Sequence, residues 1–375
     1  MTFIIAPNTF RAILEFPLTK LDAMETTTRQ HLFPAWLETL TWRDATLTFE
    51  ALEPAHLPPY LGSTLRGALG HLLRVALCDK DAGCGHECQQ PAACRYFSLF
   101  ERNRTPDGQT LPKSFLLLPP SLPGLDDIAS GGPVTRPFQS GPPKPGESIP
   151  TLRCEAGWKV DPGTPLAFGL RLFGVAANVL PAIIEGVARF GLTIGTAPFQ
   201  LTGVRDHRGQ ALYSRRWTQN IPVQPPPLQR FAIDHEPASR VRLLFQSPTV
   251  YKPRSAKVPT FDVAPLAAGF FEHCIGRAKD VVQLSSPALP SAAPLAWVDT
   301  PKLDFEITGH RLFHYELPRH SFRQNKSPDY DGVIGHIDLA GDFGTVMPWA
   351  RAAEILHYGE RSTSGLGKVR VLVLE

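Results

Sequence analysis

The 375-residue sequence contains no apolar run of the roughly 18 residues that a membrane helix needs. Its nearest candidate, residues 65–77, is interrupted by two arginines and a histidine. The N-terminus opens with a short apolar patch but lacks the charged region and small-residue cleavage site of a secretory signal. The sequence therefore predicts a soluble cytoplasmic protein that does not bind a membrane.

A large charge excess of either sign is also missing, since 38 lysines and arginines face 35 aspartates and glutamates. Net charge alone thus does not indicate a nucleic-acid partner. The sequence has no GxSxG, HExxH, GxGxxG or DxDxDG motif. Acidic pairs that would hold two magnesium ions are not evident, which weakens the hypothesis of a two-metal nuclease.

Proline, by contrast, is abundant, with 38 residues, and argues against a helical bundle. The proline- and glycine-rich residues 119–150 are typical of a long loop or extended insertion. Residues 221–237 have the composition of an inter-domain linker, and residues 286–294 form a third break. We therefore expect one domain over residues 1–230 and a second over residues 231–375.

The two parts repeat one pattern of elements, in which a strand and an apolar helix are followed by further strands and a closing helix, turn and strand. In the first part these are residues 45–52, 60–77, 165–174 and 175–204, and in the second part residues 240–251, 262–284, 302–310, 311–320 and 346–374. The order strand–helix–strand–strand–helix–strand is that of the ferredoxin-like unit. The predicted fold is α+β, with two tandem ferredoxin-like βαββαβ domains and a cysteine-bearing insertion in the first.

The turn after the last predicted helix, residues 359–370, combines glycines with cations. Gly365 and Gly367 permit a positive φ and a close approach of the backbone to a ligand, and Arg361 and Lys368 add positive charge. Such a loop suits a phosphate backbone. The alternative is an ordinary helix C-cap and turn.

The predicted helix 60–77 has leucines on one face and an unusual set on the other: Ser63, Arg66, Gly67, Gly70, His71 and Arg74. Each of the two glycines lowers the stability of the helix by about 1 kcal/mol relative to alanine. Close packing of a nucleotide chain or another helix against them would offset this loss. The alternative is helix packing with His71 as an ordinary flanking residue.

The second part carries two basic stretches, residues 251–259 and 316–328. Their candidate RNA-binding or catalytic residues are Lys252, Arg254, Lys257, Arg319, His320, Arg323, Gln324 and Lys326, with Phe322 interleaved. Cations and an aromatic ring provide the phosphate neutralisation and stacking that single-stranded or hairpin RNA needs. Taken alone, either stretch is more typical of an ordinary charged surface exposed to solvent.

Four cysteines, Cys78, Cys84, Cys88 and Cys94, lie within 17 positions. Four thiolates could complete a tetrahedral metal site and leave no coordination position for water. The cluster therefore favours a structural zinc over hydrolytic chemistry, and zinc over an iron–sulfur cluster. Free buried thiols are the alternative.

Together these segments resemble the CRISPR-associated pre-crRNA-processing endoribonucleases of the RAMP (repeat-associated mysterious protein) superfamily. The resemblance is carried by PYLGSTLRGALGHLLR (59–74), CRYFSLFE (94–101), FGLRLFG (168–174), FQSPTVYK (245–252), RHSFRQ (319–324) and LHYGERSTSGLGKVRV (356–371). It implies binding of CRISPR repeat RNA and one cut per repeat without a metal. The cut would leave a 5′-hydroxyl and a 2′,3′-cyclic phosphate in the mature crRNA, as part of antiviral defence.

In this resemblance the 2′-hydroxyl beside the scissile phosphate is the nucleophile, so the protein supplies proton transfer and charge stabilisation. His71 is the first candidate for acid or base, with Arg74 or Arg66 as its electrostatic partner. Tyr60, His357 and His320 are rival candidates.

Two other functions stay open. A RAMP subunit could hold crRNA in an effector complex beside other CRISPR-associated subunits without cutting it, or the cysteines could centre a metalloenzyme.

Overall fold

The computed structural model describes residues 35–78, 94–101, 112–121, 123–154, 156–217, 222–234, 236–253, 260–285, 303–317 and 331–374. Among these residues, no helix combines the length and apolar character of a membrane crossing.

Fifteen strands are found in the described part of the chain. They are β1 (Thr41–Ala51), β2 (Ala55–Leu57), β3 (Phe115–Leu118), β4 (Phe138–Pro143), β5 (Pro150–Cys154), β6 (Trp158–Val160), β7 (Pro165–Phe173), β8 (Leu192–Ile194), β9 (Ala197–Asp206), β10 (Ala211–Ser214), β11 (Gln229–Arg230), β12 (Arg240–Thr249), β13 (Phe305–Glu316), β14 (Gly332–Gly341) and β15 (Val369–Val373). The helices are α1 (Gly62–Leu77), α2 (Leu125–Ser130), α3 (Leu180–Phe190), α4 (Val263–Ser285) and α5 (Met347–Leu356). Short turns of other helix types cover Ala35–Thr39, Phe97–Glu101, Gly174–Val179 and Ser362–Ser364.

The first ferredoxin-like unit consists of β1, α1, β3, β7, α3 and β9. Its central strand order is β9-β1-β7-β3, and every neighbouring pair is antiparallel. Strand β1 alternates in burial, because Leu47, Phe49 and Ala51 point to the core while their neighbours are exposed or half-buried. Helices α1 and α3 cover that apolar face with leucine and isoleucine side chains. The predicted unit is confirmed.

The second unit repeats this plan with β12, α4, β13, β14, α5 and β15. Its strand order, β15-β12-β14-β13, matches that of the first unit position by position, and its neighbouring pairs are also antiparallel. The tandem ferredoxin-like fold is therefore confirmed. Two predicted strands, residues 302–310 and 311–320, are wrong, because β13 runs through both. Its hairpin partner is β14, which the sequence did not single out.

The proline-rich residues 119–150, predicted as a long loop or extended insertion, contain α2, β4 and the first residue of β5. Strand β5 pairs parallel with β13, and β4 pairs with β5, so both extend the sheet of the second unit. Of the two alternatives, the extended insertion agrees with the structure and the long loop does not, because β5 pairs with a strand more than 150 positions later. Local composition does not encode that contact. The boundary at residue 230 stays a prediction, and β4 and β5, which precede it in the chain, lie in the sheet of the second unit.

A buried ion cluster fixes the insertion to β13. His314 is 2% exposed, and its Nδ1 lies 2.5 Å from Glu147 Oε2 while its Nε2 lies 3.2 Å from Asp331 Oδ2. Lys144 Nζ contacts Asp331 at 3.0 Å and Glu316 at 3.2 Å. Burial alone would lower the pKa of His314, but its hydrogen bonds to Asp331 and Glu147 outweigh burial and raise that pKa. The ring therefore acts as an imidazolium that donates to two carboxylates.

This cluster predicts a pH-dependent stability. Because the folded protein raises the pKa of His314 above its ordinary value of 6.5, the contribution is full below pH 6.5 and is lost as pH rises through the raised pKa. The difference in unfolding free energy between wild type and His314→Gln, from urea titrations, should shrink with rising pH. For each pH unit by which the pKa of His314 in the folded protein exceeds its pKa in the unfolded protein, about 1.4 kcal/mol of unfolding free energy is lost. A difference that stays constant with pH would contradict the charged cluster.

Candidate nucleic-acid interface

The glycine loop, residues 357–368, is bonded through its backbone to β12 and the segment after it. Gly367 donates to the Pro248 carbonyl at 3.0 Å, Glu360 to Val250 at 2.8 Å, and Gln246 to Lys368 at 2.8 Å. The loop also closes on itself, since the Tyr358 amide donates to the Gly367 carbonyl at 2.7 Å. It is a rigid part of the second unit.

Gly365 and Gly367 have φ values of 80° and 75°, where an L side chain is strained. An added Cβ would overlap Pro119 at the first position and the Tyr358 carbonyl at the second. Both glycines are buried against the protein's own chain. Their observed part is to shape the loop, and direct contact with RNA stays a prediction.

The start of α1 rests on this loop and joins the two units. Tyr60 Oη donates to the Ser364 carbonyl at 2.7 Å. A Cβ on Gly62 would overlap that same carbonyl, so only glycine allows the helix to approach. Arg171 of β7 adds a second link, pairing with Asp44 at 2.7 and 2.9 Å and donating to the Ile355 carbonyl at 2.7 Å.

A cleft opens where the two units meet. It is lined by Pro59, Tyr60, Leu118, Pro119, Pro120, Ser121, Leu125, Gln246, Ser247, Pro248, Tyr315, His357, Gly365 and Lys368. His357 is 2% exposed, and its Nδ1 lies 3.1 Å from the Leu366 carbonyl. Burial, followed by the positive charge of Arg171, lowers the pKa of His357 to about 3, so the ring is neutral at physiological pH.

The outer face of α1 carries a second group of candidate residues. His71 is exposed and Arg74 is half-buried. The Arg66 guanidinium lies 4.8 Å from the centre of the Phe100 ring, a cation–π distance. Gly70 is buried against the Phe100 ring, which a Cβ at this position would overlap. A Cβ on Gly67 would meet no atom within 4 Å.

Sequence reasoning missed a further cation on this face, Lys113. Its Nζ donates to the Phe100 carbonyl at 2.8 Å, and burial, then Arg66, lowers its pKa to about 8. The signal available was a lysine two residues before the apolar run that forms β3.

The structure does not bring all the candidate catalytic residues together. His71 follows Gly62 by nine residues, which at 1.5 Å per residue places it roughly 14 Å along the helix from the glycine loop. Tyr60 and His357 share the cleft with Lys368, while His71 and Arg74 lie on the helix face.

The remaining candidates are more scattered. Lys252 and Arg361 are exposed on the second unit. Outside the described residues lie His320, Arg254, Lys257, Arg319, Arg323, Gln324, Lys326, Cys84 and Cys88. Cys78 and Cys94 are half-buried beside the first core, and neither forms a disulfide. The described residues contain no group of three metal-ligating side chains.

The two matching strand orders define a protein of two tandem ferredoxin-like units, and the glycine loop of the second unit contacts the first helix. Residues 243–369, about a third of the chain, match the family model described as CRISPR-associated endoribonuclease Cas6. This confirms the resemblance that the sequence indicated. Residues 40–225 match a further model, AF_1859_N, described as an N-terminal domain.

Individual relatives are distant. An uncharacterized protein of Archaeoglobus fulgidus is 33% identical over 66 residues, which are 17% of this chain and 23% of that protein. The matched part thus spans about a quarter of the curated relative's length.

Two solved structures illustrate the structural likeness. A Cas6 product complex has a TM-score of 0.48 at 16% identity, over 88% of this chain and all of that one. A partial Cas6-RT-Cas1–Cas2 complex has a TM-score of 0.47 at 11% identity, over 89% of this chain and 46% of that one.

Two alanine substitutions on α1 test the contact with the glycine loop. Gly62→Ala should destabilise the protein by about 1–3 kcal/mol, because its Cβ overlaps the Ser364 carbonyl. Gly67→Ala is the matched control on the same helix and should stabilise it by up to about 1 kcal/mol. Urea unfolding of both variants measures this, and equal effects of the same sign would contradict the contact.

Proposed function

We propose that this protein is a metal-independent endoribonuclease that binds CRISPR repeat RNA and cuts pre-crRNA within the repeat. The observation that carries the proposal is the match of residues 243–369 to the Cas6 endoribonuclease family, on a fold whose glycine loop contacts the first helix. Attack by the 2′-hydroxyl would give mature crRNA with a 5′-hydroxyl and a 2′,3′-cyclic phosphate. Other CRISPR-associated subunits are possible further partners in this proposal.

His71 is the proposed acid or base and Arg74 its electrostatic partner. His71 is exposed on α1 and Arg74 follows it by three positions on the same side of the helix, so one phosphate could meet both an imidazole and a cation. His357 suits proton donation poorly, because its pKa of about 3 leaves it without a proton to give at neutral pH. The Tyr60 hydroxyl already donates to the Ser364 carbonyl.

The His71→Ala variant tests this role. Cleavage of synthetic repeat RNA in EDTA should slow by about 10²–10⁴-fold, the usual contribution of general acid–base catalysis, while affinity for uncut RNA stays within a few-fold. Single-turnover rates and fluorescence anisotropy measure the two quantities.

The matched control is His207→Ala, an exposed histidine in the β9–β10 turn of the same unit, which should cut like wild type. A 2′-deoxy substitution at the cut site should abolish cleavage. Cutting of that deoxy substrate would contradict attack by the 2′-hydroxyl.

Lys368 is proposed to neutralise one phosphate of the bound strand, since it lies half-buried at the cleft beside the glycine loop. In Lys368→Gln the negative slope of log affinity against log salt concentration should become shallower by about 0.7, the value for one phosphate of a single strand. Arg208→Gln, exposed in the β9–β10 turn, is the control and should leave the slope unchanged. An unchanged slope in both variants would remove Lys368 from the RNA path.

A non-cleaving RAMP subunit that holds crRNA is the second candidate. The separation of His71 from the cleft favours it, because the candidate proton carrier and the glycine loop do not share one site. Wild-type protein that binds repeat RNA tightly without cutting it would support this function. The structural zinc at the cysteines also stays a proposal.

A further inference from the structure

Helix α1 contains three glycines, and packing inside the protein explains two of them. A Cβ on Gly62 would overlap the Ser364 carbonyl. A Cβ on Gly70 would overlap the Phe100 ring. Gly67 differs from both, because it is exposed and a Cβ there would meet no atom within 4 Å beyond the backbone of its own helix. No contact among the described residues requires a glycine at position 67.

The backbone conformation does not require this glycine either. Gly67 lies inside α1, which runs from Gly62 to Leu77, so it is neither an N-cap nor a C-cap. It is absent from the positions with positive φ, where glycine avoids strain. A glycine inside a helix still lowers helix stability by about 1 kcal/mol relative to alanine. The reason for a bare position 67 therefore lies outside the described residues.

The side of α1 that carries Gly67 also carries the proposed acid or base. His71 and Arg74 follow Gly67 by four and seven positions, so the three residues lie within about 60° of one another around the helix axis. His71 is one turn, or about 6 Å, further along the helix. Helix α1 contains no aspartate or glutamate that would repel a phosphate. A bare position on an acid-free, cationic face fits a polyanion better than a second protein surface.

We propose that Gly67 is a positioning residue, whose bare backbone lets the sugar–phosphate chain of the substrate RNA lie directly against α1, one turn from His71. A side chain at position 67 would hold the strand away from the helix by its own thickness. His71 can transfer a proton only within hydrogen-bond reach of the reacting group, so this displacement would slow the reaction. The inference rests on the proposed function, because it takes RNA as the ligand and His71 as the acid or base.

The Gly67→Leu variant separates the fit of the RNA from the folding of the protein. Because the space at position 67 is open and leucine is a better helix former than glycine, its stability in urea unfolding should equal or exceed that of wild type. Its single-turnover cleavage of repeat RNA at saturating protein should nevertheless slow by about 10²-fold, the effect of misplacing reacting groups by about 1 Å. Gly67→Ala, which adds one methyl group, should lose less activity.

Affinity is measured by fluorescence anisotropy on repeat RNA made uncleavable by a 2′-deoxy position at the cut site. In Gly67→Leu it should fall by about tenfold or less, because the displaced strand loses van der Waals contacts with the helix. The matched control is Ala264→Leu, which adds a similar apolar side chain at an exposed position in the first turn of α4 and should bind and cut like wild type. An equal loss of activity in Ala264→Leu would overturn the inference.

The pH dependence of cleavage shows whether the leucine acts on the RNA or on the imidazole. If it only displaces the RNA, the rate falls while the midpoint of the pH–rate profile stays that of wild type. A shifted midpoint with unchanged affinity would assign the loss to His71 itself and contradict the inference.

Two further results would overturn it. One is a Gly67→Leu variant that cuts like wild type, and the other is a Gly67→Leu variant that unfolds more easily, since the fold itself would then need the glycine. The proposed function fails separately, because wild-type protein that binds repeat RNA without ever cutting it would contradict the nuclease. In that case the affinity of Gly67→Leu decides: a loss supports the close approach of RNA, and unchanged affinity overturns it. Absence of RNA binding by the wild type would overturn both.

Discussion

The contact between the first helix and the glycine loop is the constraint on which the arrangement of the two domains depends. The Ser364 carbonyl accepts a hydrogen bond from Tyr60 and occupies the space that a side chain at position 62 would need. Because the loop is bonded to β12 through its backbone, the start of α1 is positioned against the second sheet as well as its own. The cleft lies beside this contact and takes its walls from both units.

The insertion makes the two units interdependent in another way. Strands β4 and β5 belong to the first half of the chain but complete the second sheet, where β13 would otherwise present an open edge. A buried imidazolium between two carboxylates holds this attachment, so its strength depends on protonation.

Chemistry-bearing residues fall into two environments. On α1 the imidazole of His71 is exposed, three positions before the half-buried Arg74. In the cleft the imidazole of His357 is buried and neutral, and its Nδ1–H donates to the Leu366 carbonyl. Identical side chains thus have different chemical abilities because burial and one carbonyl partner differ.

Several features followed from the sequence alone. The alternation of β1, the leucine spacing of α1 and the helix–glycine–strand ending of each half are short-range patterns, and they sufficed for two ferredoxin-like units. The glycine loop and the exposed position of His71 followed from the same local information.

Tertiary structure decided the rest, because it depends on contacts between distant positions. The pairing of β5 with β13, the overlap of Pro119 with any side chain at position 365, and the burial of His357 each join segments that are far apart in the chain. Composition made residues 119–150 a loop, yet a partner strand made part of them a sheet. Local patterns determine which elements form, whereas the protonation state and role of a side chain are decided by the neighbours that folding brings to it.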